Sequence, residues 1–491
     1  MTDRRRYRLY EILPGLTIWT IFFAVIFTSL FRPLWAICFI IVFDLWWLIR
    51  ICYKLIFLFY SWRRYRINIT INWLKRLQSL PSWQNIYHLI ILPTCKEPIE
   101  VIESSFGALT ESNYPKEKFI IVLAGEERDK DNFFKIVEKI KKKYETKFFK
   151  FLITLHPKNL PGEIPSKGSN IHWAGRQAQK LIDQLKIPYE DVIVSCLDVD
   201  TCVHKEYFGY LAHTYLSTPN PTRCSYQPIA IFNNNIWDSP ALTRVVARGT
   251  TFWLLMELAR SHLYFTFSSH SMSFKALVEV GFWQPDVISE DSRIFLQCFN
   301  YYNGHYKVVP LYMSVSMDTV YAGSFRRTMV NQYKQMLRWG YGVENAPWML
   351  YHFWQNKMIP WFEKWRVFWT QFEGSCSWAT APVIIFILGY LPIWVARNQG
   401  ATEAIVLNTP FILEILMTVA MVGLFFNAIL SIVLLPPRPA KHPIYKYLFM
   451  ILQWILFPVT IIIFGVIPVT EAISRLMLGK YLGFRITEKK R

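Results

Sequence analysis

At 491 residues, 53% apolar and 17% aromatic, the chain is longer than one ordinary domain and too apolar for a typical soluble enzyme, so a membrane component is the first expectation. Its formal charge of +19 would suit nucleic acid, but many of the basic residues flank apolar segments, where anionic lipid head groups attract them, and nucleic acid is set aside as a partner. The eight cysteines form no C-x-x-C pair and no metal-ligand cluster, which fits reduced thiols in a cytosolic or buried setting.

Apolar stretches lie at residues 13–31, 33–48, 378–396, 410–435 and 447–467, and most approach the roughly 20 residues that a spanning helix needs. The first lacks a small-residue cleavage pattern and is followed at once by the second, so it is expected to stay in the protein. Arg4, Arg5, Arg6 and Arg8 precede the first stretch and Arg50, Lys54, Arg63, Arg64 and Arg66 follow the second. The positive-inside rule then puts both flanks, and the domain between the apolar ends, in the cytosol of a protein integral to a cell or inner membrane. Three full spans after the domain would leave the basic tail outside. Either 447–467, broken by Pro458 and Pro468, lies in the interface or re-enters, or a further span is hidden around 361–374. Asp44, inside the second stretch, is costly to bury and suggests a neighbouring helix, a sugar path or a head-group position.

From Tyr87 short apolar runs alternate with helical periodicity: YHLIIL, KFIIVLA, KFFKFLITL and DVIVSCL, each followed by a helix. Strands followed by helices predict an α/β domain with a mostly parallel sheet, and ligands of such sheets bind outside the carboxyl ends of the strands. The polar segments at those ends are 93–97, 124–128, 156–170 and 198–200. The expected organisation is an N-terminal transmembrane hairpin (1–60), an interfacial linker (61–86), a cytosolic catalytic domain (87–345), interfacial helices (346–374), a C-terminal transmembrane region (375–470) and a basic tail (471–491).

Three signals carry chemistry. Asp198 and Asp200 end the run VIVSCL, and two residues apart in extended backbone they point to one side, where both carboxylates can grip a hard cation such as Mg2+ or Mn2+. A surface turn gives the same pattern by chance. Ser289-Glu290-Asp291 opens an amphipathic helix, and taken alone it reads as a cap with dipole-favoured acids. Gln335, Arg338 and Trp339 lie in RRTMVNQYKQMLRWGYG, which by itself reads as a basic helix on a membrane.

Together the order P-T-x-x-E, D-x-D, E-D, Q-x-x-R-W between apolar ends resembles glycosyltransferase family two, particularly its cellulose synthase and hyaluronan synthase-like membrane members, over about residues 90–339 and into the C-terminal region. The resemblance implies a GT-A-like catalytic fold and donor contacts from Pro93, Thr94 and Glu97 to the nucleoside. It implies that Lys167, in SKGSN with Asn170, approaches the diphosphate. Asp198 and Asp200 match metal and diphosphate ligands, and Asp291 matches the general base, with Ser289 in place of the family's threonine. Gln335 and Arg338 are then expected near the diphosphate, and Trp339 with Glu290 on the acceptor side. Phe484, Thr487 and Lys489 in FRITEK read either as the gating segment of cellulose synthase-type enzymes, with isoleucine for valine, or as a solvated basic tail. Where the family carries an aspartate pair after the second strand this chain has VLAGEERD, so Glu126, Glu127 or Asp129 is the expected substitute and the nucleotide is left open. The implied activity is metal-dependent, inverting hexosyl transfer from a nucleotide sugar, with a UDP-sugar expected, to a growing polysaccharide or a lipid-linked acceptor. A glycolipid transferase adding one sugar is the nearest rival, and a transporter with a cytosolic regulatory domain the more distant one.

Overall fold

The computed structural model describes residues 3–263 and 265–483; Phe484, Thr487 and Lys489 of the possible gating segment lie outside the described residues. The chain opens with two helices, α1 (Asp3–Phe31) and α2 (Pro33–Asn68). Pro33 at the first position of α2 suits a helix start, where its missing N–H is not needed. At 1.5 Å per residue α2 is about 54 Å long, more than a bilayer core requires, so it runs past the expected hairpin boundary and its far half packs along the α/β domain. There Lys54 meets Glu257 at 3.0 Å and Asn68 donates to the Tyr312 carbonyl at 3.3 Å.

The domain follows as β1 (Tyr87–Pro93), α3 (Ile99–Thr110), β2 (Phe119–Glu126), α4 (Lys130–Tyr144), β3 (Lys150–His156), α5 (Lys167–Leu185) and β4 (Val192–Cys196). These four strands pair in parallel in the order β3-β2-β1-β4. Their near-continuous apolar runs are what a strand covered on both faces needs, and every residue of β2 is buried. The other half of the sheet is mixed: β5 (Cys202–Val203), β6 (Cys224–Phe232), α6 (Ala241–Leu258), β7 (Ser271–Ser273), α7 (Glu290–Tyr301), β8 (Lys307–Met317) and α8 (Phe325–Gly340). Here β7 pairs antiparallel with β4 and β6, while β6 and β8 are parallel.

Beyond the domain come α9 (Trp361–Phe386), α10 (Leu391–Asn398), α11 (Ala404–Val433) and, at the end of a broken run, α12 (Ile467–Met477). Four helical stretches, Asp3–Phe31, Pro33–Asn68, Ala404–Val433 and Lys446–Met477, are long and apolar enough to cross a membrane, and α9 with α10, bent by 47°, would make a fifth. Large apolar side chains on these helices face outward, among them Phe27 at 63%, Trp35 at 75% and Phe411 at 63% exposed, a surface suited to lipid rather than water. The aromatic segment from Trp361 belongs to the same helix as the apolar stretch after it, so no separate span is hidden at 361–374.

The Lys446–Met477 stretch settles against the α/β domain at both ends. Met450 packs on Ile236 and Trp237, and Val469 backs onto Gly340. Regular helix gives way to a 3-10 turn at Gln453–Leu456 and a π turn at Ile461–Val466. Ile384, Ile393 and Val406 instead cluster with Val25 and Ile37 around the α1–α2 turn, so α9 and α11 run out to that turn and back. Arg8 donates to the Leu476 carbonyl at 2.8 Å, which places the start of the first helix beside the end of the last described one. Gly340 allows this docking, because a Cβ there would stand 2.9 Å from Val469 Cα. Gly340→Ala is expected to cost about 1–3 kcal/mol by overpacking, read as a lower Tm and faster proteolysis after residue 440 in detergent; an unchanged Tm would show that the contact yields freely.

Candidate active site

The site gathers at the amino end of α5. Ser166 caps that helix, accepting from the Ser169 amide at 3.3 Å while Ser169 Oγ accepts from the Ser166 amide at 3.2 Å, a reciprocal box that fixes the first turn. Lys167 follows at once. Its Nζ lies 2.8 Å from Asp198 Oδ1, 3.0 Å from both Asp291 oxygens and 3.5 Å from Glu290 Oε1. Gly168 lets the helix come this close, since a Cβ there would meet the Gln284 carbonyl and Glu290 Cβ at 3.2 Å. Burial alone would lower the lysine's pKa, but Asp198 and Asp291 outweigh it and hold the ammonium well above its ordinary value.

Glu290 is 4% exposed. Burial first, and the Asp291 charge second, push its carboxyl up from the ordinary 4.5. A raised acid binds its proton more tightly folded than unfolded, so its stabilising effect is present at low pH and is lost as pH climbs above 4.5 towards the folded value. Glu290→Gln should therefore gain Tm on the wild type between about pH 5 and pH 8; a gap independent of pH would show that Glu290 titrates normally.

The D-x-D segment is a turn and not the extended backbone expected. The Thr201 amide donates to the Asp198 carbonyl at 2.8 Å, and the two side chains bond different partners. Asp198 goes to Lys167, whereas Asp200, 2% exposed, accepts the Asp318 amide at 3.0 Å. The structure thus joins Asp198 to Asp291 through one lysine and aims Asp200 at the end of β8. Ser289 also differs from its bland reading. It occupies the cap position of α7 without capping it, and its hydroxyl donates to Glu344 Oε1 at 2.8 Å.

A polar loop unanticipated from sequence knits the acids together. Ser268 donates to Asp198 Oδ2 at 2.7 Å, Thr201 and Ser269 share a hydrogen bond at 3.1 Å, and Thr266 donates to the Asp291 carbonyl at 2.5 Å. His270, 1% exposed, has Nδ1 at 3.0 Å from the Phe267 carbonyl and 3.9 Å from Asp291 Oδ1. Burial holds this imidazole below its usual pKa. The signal was the run Ser268-Ser269-His270-Ser271 standing before an apolar helix. Arg293 and Glu344 were also missed: Arg293, buried, donates to Asn345 Oδ1 at 2.7 Å and to the Glu344 carbonyl at 3.2 Å, bracing the start of α7.

The other expected residues make contacts of their own. Glu97 folds back to accept from Thr94 Oγ1 at 3.0 Å, shaping the loop after β1 that begins at Pro93. Of the three acids after β2, Glu126 pairs with Arg128 at 2.7 Å, Glu127 accepts the Lys158 amide at 2.9 Å and Asp129 the Lys96 amide at 2.6 Å. Asn170 is buried and donates to the Ala124 carbonyl at 2.9 Å, tying α5 to β2. Gln335 and Trp339 line a small cavity with Phe232, Asp318 and Thr319, and Arg338 lies near enough to Glu290 to favour its charge.

Among the described residues no three acids, histidines or cysteines form a metal cage. Two hard carboxylates on one turn nevertheless suit Mg2+ or Mn2+ when ligand phosphate oxygens complete the shell, as such ions usually require. Asp198 and Lys167 stand near the carboxyl ends of the parallel strands, where ligands of such sheets bind.

The chain belongs to glycosyl transferase family group 2, whose family model matches residues 193–467, more than half of the chain. It is a glycosyltransferase, and its α/β domain is GT-A-like, set between apolar helices at both ends. No curated protein matches it. Among solved structures, the mannosyltransferase PcManGT from Pyrobaculum calidifontis in complex with GDP-Man and Mn2+ is 14% identical, with coverage of 86% of this chain and 99% of that one and a TM-score of 0.46. TarS 1–349 of S. aureus is 11% identical, with coverage of 70% and 90% and a TM-score of 0.37.

Proposed function

We propose that this glycosyltransferase moves a hexose from a nucleotide-diphosphate sugar, with a UDP-sugar the expected donor, to a glycan or lipid-linked acceptor at the membrane, with inversion at the anomeric carbon. The observation that carries this reading is the Lys167 ammonium held at about 3 Å between Asp198 and Asp291, a cation for a diphosphate next to a carboxylate for a hydroxyl proton. Pro93, Thr94 and Glu97 would border the nucleoside. Asp291 takes the acceptor proton from the side opposite the leaving diphosphate, and one base on the attacking side is the logic of inverting sugar chemistry. Lys167 and Arg338 neutralise charge on the leaving group, with Gln335 beside them, and such fixed electrostatics is commonly the largest catalytic contribution. Asp198 and Asp200 would hold a divalent ion, which would supply positive charge against the departing diphosphate. Trp339 offers an indole face to the acceptor sugar, and Glu290 a protonated carboxyl able to donate to it.

On this reading α1, α2, α9 and α11 cross the bilayer, Lys446–Met477 stays at the cytosolic face, and both chain ends are cytosolic. The contacts of Met450 and Val469 with the domain support an even count, as does the basic N-terminal flank. Four crossings leave little room for a polymer channel, which favours transfer of single sugars to a lipid over processive synthesis. Membranes incubated with a panel of radiolabelled nucleotide sugars and Mg2+ or Mn2+ test both points. Label in organic-extractable lipid supports this reading, label in high-mass polymer supports processive synthesis, and no transfer from any nucleotide sugar overturns the donor assignment.

A further inference from the structure

Helix α6 carries two arginines one turn apart, Arg244 and Arg248, which therefore share a face. Both are buried, at 7% and 1% exposed. Arg244 donates Nε to Gln453 Oε1 at 2.7 Å and Nη1 to the Ser239 carbonyl at 2.6 Å. Arg248 reaches the Leu434 carbonyl at 3.5 Å from Nη1, and its Nη2 has no partner. Among the described residues neither guanidinium meets an acid. Asp238 is taken by Lys441 at 3.0 Å and His442 at 3.1 Å, and Glu257 by Lys54 at 3.0 Å and Arg260 at 3.2 Å; Asp44 on α2 and Asp318 at the cavity beside Val246 make no ion pair with either arginine. Lys446 adds a third positive charge facing Arg244.

Burial alone lowers both guanidinium pKa values to about 10, with no acid opposing it, so both stay charged at neutral pH. Two buried charges without a counter-ion are unfavourable. An anion relieves this, and a guanidinium fork matches a phosphate group two bonds at a time. The position narrows the source. Leu434 follows the last residue of α11, a helix long and apolar enough to cross a membrane, so the pair sits where a spanning helix meets the catalytic domain, at head-group depth. On the same helix, Val246 and Ala247 line the cavity that Gln335 and Trp339 share.

We propose that Arg244 and Arg248 bind the phosphate group of a membrane lipid between α6 and the segment from Leu434 to Gln453. The inference rests on the membrane reading above but not on the identity of the donor. Either an acceptor lipid or a bilayer phospholipid can carry that phosphate, and the chemistry at the arginines is the same.

The test uses the full chain in neutral detergent and in nanodiscs, without donor, so that its failure leaves sugar transfer untouched. Native mass spectrometry and Tm shifts would be recorded with phosphatidic acid, phosphatidylglycerol, phosphatidylcholine and inorganic phosphate. Wild type is expected to bind anionic lipid and gain Tm. Arg248→Gln and the Arg244→Gln/Arg248→Gln double variant should lose about tenfold or more in lipid affinity, while Arg248→Lys, which keeps charge but not the fork, should fall between. In lipid-free detergent Arg248→Gln should be at least as stable as wild type, because a buried unpaired charge has gone; that result separates a lost site from a lost fold. Preference for the monoester points to an acceptor lipid, and equal binding of both anionic lipids to a bilayer lipid. Equal lipid affinity in wild type and the double variant, protection by inorganic phosphate alone, or an Arg248→Gln protein that fails to fold in lipid-free detergent would each overturn the proposal.

Discussion

Asp291→Asn is expected to lower turnover by roughly two to four orders of magnitude, the range for loss of a positioned general base, while donor affinity changes little. The amide keeps the shape of the side chain and its distance to Lys167, which is 3.0 Å in the wild type, but it cannot take a proton from the acceptor. The loss should appear in kcat, with donor binding measured separately by calorimetry using a non-transferable analogue. Glu290→Gln is the control on the adjacent position: Glu290 is the acid that burial keeps protonated, so its replacement should act through acceptor KM and leave most of kcat. Were Asp291→Asn to retain a tenth of wild-type turnover, or Glu290→Gln to be the more damaging change, the base would have been assigned to the wrong carboxylate.

The strand end that carries Asp198 and the helix start that carries Asp291 are legible in the sequence, but their pairing through Lys167 is not, because Lys167 stands out only by the family resemblance, which sends it to the donor diphosphate. The runs before Pro93, Gly125 and Asp198 are buried on both faces and so read as strands with carboxyl ends. What could not be read are elements too short to have a period. The strand Ser271–Ser273 spans three residues and Cys202–Val203 two, and these turn the second half of the sheet mixed. The turn at Asp198 was also hidden, because it is set by Thr201 bonding to Ser269, 68 positions away. The same holds for Ser289, whose hydroxyl is drawn from its own helix to Glu344, a buried acid held by Arg293 nearby. In the apolar C-terminal stretch, composition reported length and hydropathy alone. Whether Lys446–Met477 crosses or folds back depends on Ile236, Trp237 and Gly340, residues of another domain.

Lys167→Met should produce the second large effect, and on two readouts. Turnover is expected to fall by about two to three orders of magnitude, comparable with removal of one preorganised charge-stabilising donor. Stability should fall by up to about 3 kcal/mol, the low end for breaking a buried ion pair, because Asp198 and Asp291 keep 27% and 21% of their side chains exposed. The pH dependence separates this cause from simple misfit. In the wild type the lysine's raised pKa places its own contribution below the ordinary 10.5, so it is fully present and flat at neutral pH and is lost only in strong alkali. In the variant three carboxyl groups face one another without the ammonium between them, and protonation relieves the repulsion. The Tm deficit of Lys167→Met should therefore shrink as pH falls from about 8 to about 5. Adding a divalent cation should shrink it too, since the ammonium no longer competes for Asp198. A deficit that stays constant across that pH range and ignores the cation would mean that Lys167 contributes packing there, and that the charge arrangement assigned to the donor phosphates is not what holds the site together.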